Sequence, residues 1–171
     1  MANIRRHYLP KRPVFITAVC FKRKPLLKSA KAKELLLSVM REVKAEKLFS
    51  MVAYTIMDDH FHCIIRPVDP IFSKIVQSVK LRFVHRYKKQ AGINEHLQIW
   101  QKRFWDHVIR NETGLHRHLD YVHYNPVKHG YVKRPLDYRW CSFSRHVEKG
   151  NYRSDWGSVK EPDSLSKMDL E

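Results

Sequence analysis

No stretch of about 18 consecutive apolar residues occurs in the 171-residue chain, so no segment is expected to span a membrane. Met1 to Pro13 is basic and lacks the apolar run of roughly 7–15 residues that a secretory signal needs. Cysteine is scarce: Cys20, Cys63 and Cys141 are scattered, odd in number and form no CxxC pair. That excludes a disulfide framework and points to a reducing compartment, so the expected location is the cytoplasm. Internal repeats are absent. Acidic residues are few, 17 against 33 lysines and arginines, which leaves a formal charge of +16.

What is present is a globular composition, 43% apolar and 12% aromatic, in a chain sized for one domain. A charge of +16 repels itself in a folded protein and calls for a polyanionic partner, with nucleic acid first and an anionic membrane surface second. The excess is uneven. Residues 155–171 hold five acids against two lysines, a net −3, so residues 1–154 carry +19. The reading is one domain over 1–154 followed by an acidic, flexible tail over 155–171.

The apolar pattern predicts a strand over Val14–Phe21, then a helix opened by Ser29 with Leu36, Val39, Met40 and Val43 on one face. Strands at Phe49–Met57 and His60–Arg66 flank the turn residues Asp58 and Asp59 and form a hairpin. A second helix follows Pro70, with Phe72, Ile75, Val76, Val79, Phe83 and Tyr87 as its buried stripe. A fourth strand is placed at Arg103–Ile109, and a last helix at about Thr113–Asn125, stopped by Pro126. The order βαββαβ plus one helix suits an α+β, ferredoxin-like antiparallel sheet with helices on one face and strands one and three central.

On the third strand His60 and His62 are two apart and point to one face, a half-site for a divalent metal. Phe61 and Cys63 point the other way. The pattern alone is unspecific, since His116-Arg117-His118 repeats it. That second pair lies on a predicted helix, where residues two apart diverge by about 200°. On the last helix Tyr121 and Asn125 are four apart and share a face. They can hold a hydroxyl and an amide oxygen over the histidines, or simply be a packing aromatic and a helix-end residue.

The second helix carries Lys74, Lys80, Arg82, His85, Arg86, Lys88 and Lys89, and no acid occurs from Ile71 to Ile93. With Arg5, Arg6, Lys22, Arg23, Lys24, Lys102 and Arg103 these cations are read as a phosphate-tracking groove. Tyr8, Trp100, Trp105 and Trp140 are candidates for stacking on unpaired bases, with core packing as the plainer role.

The strand His60-Phe61-His62-Cys63 and the helix segment Asp120-Tyr121-Val122-His123-Tyr124-Asn125-Pro126-Val127-Lys128-His129-Gly130 together resemble the HUH single-tyrosine transposases. The closest resemblance is to the REP-associated tyrosine transposases. Arg5-Arg6-His7-Tyr8 and Trp100-Gln101-Lys102-Arg103-Phe104-Trp105-Asp106-His107 are similar to that subgroup too, and the resemblance runs from about residue 5 to about 156.

The resemblance implies a ferredoxin-like fold with His60, His62 and Asn125 as ligands of Mg²⁺ or Mn²⁺, and with Tyr121 as nucleophile. Insertion-sequence relatives commonly have glutamine where Asn125 stands. It also implies cleavage and rejoining of a single-stranded, REP-like DNA hairpin through a 5′-phosphotyrosyl intermediate, by a monomer. Tyr124 matches no role. Competing readings are a non-catalytic hairpin-binding protein on the same fold, a structural zinc site and a basic membrane-surface protein. The zinc site is disfavoured because Cys63 points away from both histidines, and the membrane reading lacks an amphipathic anchor.

Overall fold

The computed structural model describes residues 11–69 and 71–165. Its elements run β1 (Val14–Val19), α1 (Ala30–Lys47), β2 (Phe49–Ile56), β3 (His60–Pro67), α2 (Phe72–Ala91), β4 (Trp105–Val108), α3 (Glu112–Lys128) and α4 (Phe143–Glu148). The four strands form one sheet in the order β2-β3-β1-β4, every neighbouring pair antiparallel, with β1 and β3 in the centre as expected. Among the described residues no helix is long and apolar enough to cross a membrane.

The two faces of the sheet are covered differently. Alternation along the central strands sends Val14, Ile16, Ala18, Phe61, Cys63 and Ile65 into one core with Leu36, Val39 and Val43 of α1 and Val76, Val79 and Phe83 of α2. The opposite set, Phe15, Ala53 and Ile64, packs under Leu119, Tyr121 and Val122 of α3. Burying side chains of this size stabilises by roughly 1.5–3 kcal/mol apiece.

Local chemistry sets the helix ends. Ser29 caps α1 by accepting from the Ala32 amide at 3.1 Å, a contact of about 1 kcal/mol. α3 begins earlier than the periodicity suggests, because Asn111 is its cap and accepts from the Gly114 amide at 2.8 Å. A Cβ at Gly114 would meet Asn111 Oδ1 at 3.1 Å, which is why glycine suits that turn.

The stop expected at Pro126 does not occur: α3 continues to Lys128. Proline lacks an amide hydrogen, and one missing bond near a helix end is tolerated where the ring is buried, as Pro126 is. The helix therefore carries one further residue of charge, Lys128, past Asn125.

The fourth strand is short, Trp105–Val108 rather than Arg103–Ile109. The chain beyond α3 holds elements the apolar periodicity does not announce, α4 and short 3₁₀ turns at Pro135–Asp137 and Asp163–Leu165. α4 and the Pro135–Asp137 turn border a third cluster of Met57, Tyr138, Cys141 and Phe143, with Tyr152 and Trp156 against it. The acidic segment does not run along the basic helix α2 as far as it is described. It lies on α3, with Leu165 buried beside Leu119 and Tyr121 and the Ser164 hydroxyl donating to Asp120 at 2.6 Å.

Candidate active site

The β1–β3 register sets Thr17 opposite His62 and Val19 opposite His60. His60 and His62 therefore lie side by side, their ring centres 4.8 Å apart at 74°. Both are buried, His60 at 3% exposure and His62 at 0%. α3 roofs the face of the sheet that carries them, so truncating either ring would leave a cavity.

Each ring is held by its Nδ1. His62 Nδ1 lies 2.8 Å from Thr17 Oγ1, and His60 Nδ1 lies 2.6 Å from Asp59 Oδ1. Both Nε2 atoms are buried and, among the described residues, have no hydrogen-bond partner. A buried ring nitrogen normally finds one. A neutral imidazole tied at Nδ1 with Nε2 open is the form in which histidine binds metal. Burial first, and then the neighbouring His60, His129, Lys128 and Arg23, hold His62 well below its ordinary range, so it stays neutral.

The Asp58-Asp59 turn does more than reverse the chain. Asp58 receives the buried Lys33 of α1 at 2.5 Å, which ties the hairpin tip to that helix. Asp59 binds His60 and also Arg23, at 3.2 Å. Burial raises the Asp59 carboxyl, but His60 and Arg23 outweigh that and hold it below the ordinary carboxylate range. Asp59 and Thr17 are the orienting residues that the motif reading missed. Asp59 has a signal in its place directly before the first histidine, whereas Thr17 becomes visible only through strand register.

α3 supplies the other half of the site. The Tyr121 ring meets His62 edge-on at 5.3 Å and Phe15 at 5.7 Å. Asn125, one turn on, is 1% exposed, and its Oδ1 is buried. Lys128 Nζ stands 5.5 Å from the centre of the Tyr121 ring, and the His129 ring is 5.6 Å from His60. Tyr124 faces elsewhere, against Trp156. Among the described residues no three His, Cys, Asp or Glu side chains converge as a metal cluster. A metal held by His60 and His62 therefore needs an oxygen ligand of another kind, and the Asn125 amide suits it. The residues present fit a divalent cation.

The other expected site residues are spread out. Arg5 and Arg6, with His7 and Tyr8, lie outside the described residues. Lys22 and Arg23 lie in an exposed 3₁₀ turn after β1, with Lys24 directly following, near the histidines through the Arg23–Asp59 pair. α2 lies across the sheet from the histidines. On it Lys74 and Lys89 are exposed. Lys80 donates to the Gln101 carbonyl at 2.7 Å, Lys88 to the Asn94 carbonyl at 3.4 Å, and Arg82 donates to both carboxylate oxygens of Glu46. The lack of acids within α2 was misleading, since α1 supplies them from the side: Glu42 pairs likewise with Arg86 at 2.6 Å. Lys102 and Arg103 are exposed just before β4. Asp106 pairs with Ile16 in the sheet and so shares the α1–α2 face, away from Tyr121.

Residues 14–124 match the family described as Transposase IS200 like. The chain is 34% identical over 158 residues to the REP-associated tyrosine transposase of Escherichia coli K12, spanning 91% of each protein. A Haemophilus influenzae relative is 37% identical over 131 residues, 71% of this chain and 73% of its own. Among solved structures, that of a REP-associated tyrosine transposase bound to a REP hairpin superposes with a TM-score of 0.80 at 32% identity, over 99% of both chains. A sheet that buries two open imidazoles beneath a helix-borne tyrosine thus agrees with sequence likeness over most of the chain: the protein belongs to the IS200-like transposases and, within them, to the REP-associated tyrosine transposases.

Proposed function

We propose that the protein cuts single-stranded, REP-type hairpin DNA with Tyr121 and can rejoin the strands from the covalent intermediate. One observation carries the reading: Tyr121 stands 5.3 Å, ring to ring, from a histidine whose Nε2 is buried and open. The hairpin substrate follows from the relative bound to a REP hairpin and from the +16 charge.

In the proposed reaction Tyr121 Oη attacks phosphorus, the bond to the 3′-oxygen breaks, and the strand leaves with a free 3′-OH. The phenol proton is given up and the departing 3′-oxygen gains one. The product is a 5′-phosphotyrosyl bond, and attack by a 3′-OH reverses the exchange without an external energy source. His60, His62 and Asn125 would hold the divalent ion, Mg²⁺ or Mn²⁺, which when bound supplies Lewis-acid polarisation of a non-bridging phosphate oxygen. Thr17 and Asp59 keep the two imidazoles in the binding tautomer. Lys128 places positive charge beside the nucleophile, where the reacting phosphate brings negative charge.

The exposed cations Lys22, Arg23, Lys24, Lys74, Lys89, Lys102 and Arg103 are assigned to phosphate contacts, whereas Arg82 belongs to the α1–α2 junction. Tyr121 and the histidines meet within one chain, which supports a monomer as the working unit. The test is incubation with end-labelled hairpin DNA and Mg²⁺ or Mn²⁺, followed by denaturing electrophoresis. A labelled band at the protein–DNA mass is expected. DNA binding with no such band under either metal would leave a hairpin-binding protein and remove the enzyme reading.

A further inference from the structure

The four tryptophans have very different surroundings. Trp100 is buried between Phe61 and Phe83, Trp156 packs on Phe143 and Tyr152, and the Arg139 guanidinium covers Trp140 at 4.9 Å. Trp105, at 43% exposure, is the exposed one. It sits on β4, an edge strand, opposite Thr17, and so on the face of the sheet that carries His62.

Three rings there form a row of parallel planes. His118 of α3 lies against His107 at 5.1 Å and 10°, and His107 against Trp105 at 6.1 Å and 10°. The row is anchored at the buried His118, whose Nδ1 meets the Gly114 carbonyl at 2.7 Å, and its outer member is the half-exposed indole. Phe15 props it from below, edge-on to Trp105 at 5.5 Å, and the same Phe15 ring contacts His62 at 5.5 Å and Tyr121 at 5.7 Å. One side chain therefore separates the exposed indole from both the nucleophile and the histidine pair.

Exposed cations bracket this row along the chain, Arg103 before it and Arg110 after it. The acids nearby do not share the platform. Asp106 belongs to the opposite face of the strand, and Glu112 is exposed beyond it in the first turn of α3. A flat aromatic surface between cations is the chemistry that seats an unpaired base while the backbone phosphates are neutralised on either side.

We propose that the Trp105 indole is the stacking seat for one unpaired base of the strand entering the site, positioning the neighbouring phosphodiester over Tyr121. This rests on the single-strand DNA reading above and names the residue that sets the register of the cut. Trp105 is a positioning residue in this scheme.

The experiment measures binding of the full-length chain to a hairpin with an unpaired flank, and to the same oligonucleotide with each flank nucleotide made abasic in turn. Trp105→Ala should bind the intact flank about tenfold more weakly or worse, and Trp105→Phe should retain most of the affinity. At one abasic position the wild type should lose a similar factor and Trp105→Ala should lose nothing more. A packing role alone would instead weaken a flankless hairpin equally, and that result overturns the proposal. So does wild-type affinity in Trp105→Ala, or additive losses at every abasic position. If Trp105→Ala does not fold, the wild type is irradiated with 5-iodouracil in the flank. Cross-linking to Trp105 is expected, and cross-links confined to other residues overturn the proposal. A Tyr121 adduct formed normally by a Trp105→Ala protein of wild-type affinity would leave the transposase reading intact and end this one. Failure of the wild type to bind any of these DNAs would end both.

Discussion

Thr17 on β1 and His62 on β3 face each other across the central strand pair, their Oγ1 and Nδ1 atoms 2.8 Å apart, and this contact leaves the other His62 nitrogen as the open one. Removing the hydroxyl while keeping the volume, as in Thr17→Val, is expected to lower Mn²⁺ affinity and adduct yield by about tenfold or more. Thr17→Ser should retain both. Calorimetric metal titration beside the cleavage assay separates this from a folding defect. An unchanged Mn²⁺ affinity in Thr17→Val would remove Thr17 from the site. The variant is a cleaner probe than His62→Ala, which would empty a fully buried position.

Tyr121→Phe keeps the ring that packs on Phe15 and His62 and deletes only the hydroxyl, so DNA affinity should persist while the covalent adduct disappears. Tyr124→Phe, which faces Trp156, should form the adduct normally. Because both halves of the site lie in one chain, mixing His60→Ala with Tyr121→Phe should restore no activity. Rescue on mixing, together with a dimer in sedimentation, would show that the helix is exchanged between subunits.

Binding should be strongly salt-dependent. If about five phosphates are neutralised, the log–log slope is roughly −3.5 for single strands. Replacing Lys102 and Arg103 together by glutamine should flatten it by about 1.4. Arg82→Gln should leave it unchanged, since Glu46 already engages that guanidinium. Equal slopes for all three proteins would place the DNA elsewhere.

A second histidine cluster makes stability depend on pH. Burial first, and then the charge of His146, push His123 down to about 3 from an ordinary 6.5. The unfolded chain takes the proton first, so the contribution of neutral His123 is complete above pH 6.5 and is lost as pH falls towards 3. His62 and His118 are lowered in the same direction. Urea midpoints should therefore be flat above neutrality and fall below it, by at most about 1.4 kcal/mol per pH unit for each such proton. His123→Gln should reduce the slope without abolishing it, and an identical slope would show that His123 does not titrate this way.

The acidic segment sits next to α3, with Leu165 among the residues packed around Tyr121 and Ser164 bonded to Asp120. Deleting residues 157–171 removes Leu165 and the Ser164–Asp120 bond from α3 as well as four of the tail's five acids. Adduct yield should rise at low salt, and the gain should shrink as salt screens charge within about 8 Å. A deletion beginning at Ser166 keeps Leu165 and should give a smaller gain. Equal yields from all three proteins at low salt would leave the segment without influence on the reaction.

The sequence by itself determined the sheet, its two central strands and the pairing of His60 with His62. A strand period of two and a helix period of 3.6 are local properties that one reads along the chain. Tyr121 and Asn125 were legible as a helix-face pair for the same reason. Tertiary structure alone decided what lies across from them. Thr17 and Asp59 became orienting groups through register and a pinned turn, and Arg82 and Arg86 became ion pairs because α1 brought Glu46 and Glu42 alongside. The helix ran on through Pro126 because burial of the ring outweighed one missing hydrogen bond, and that continuation brought Lys128 to the Tyr121 ring. Partners distant in the chain are chosen by packing, and a pattern read along one segment holds no record of which segment will cover it.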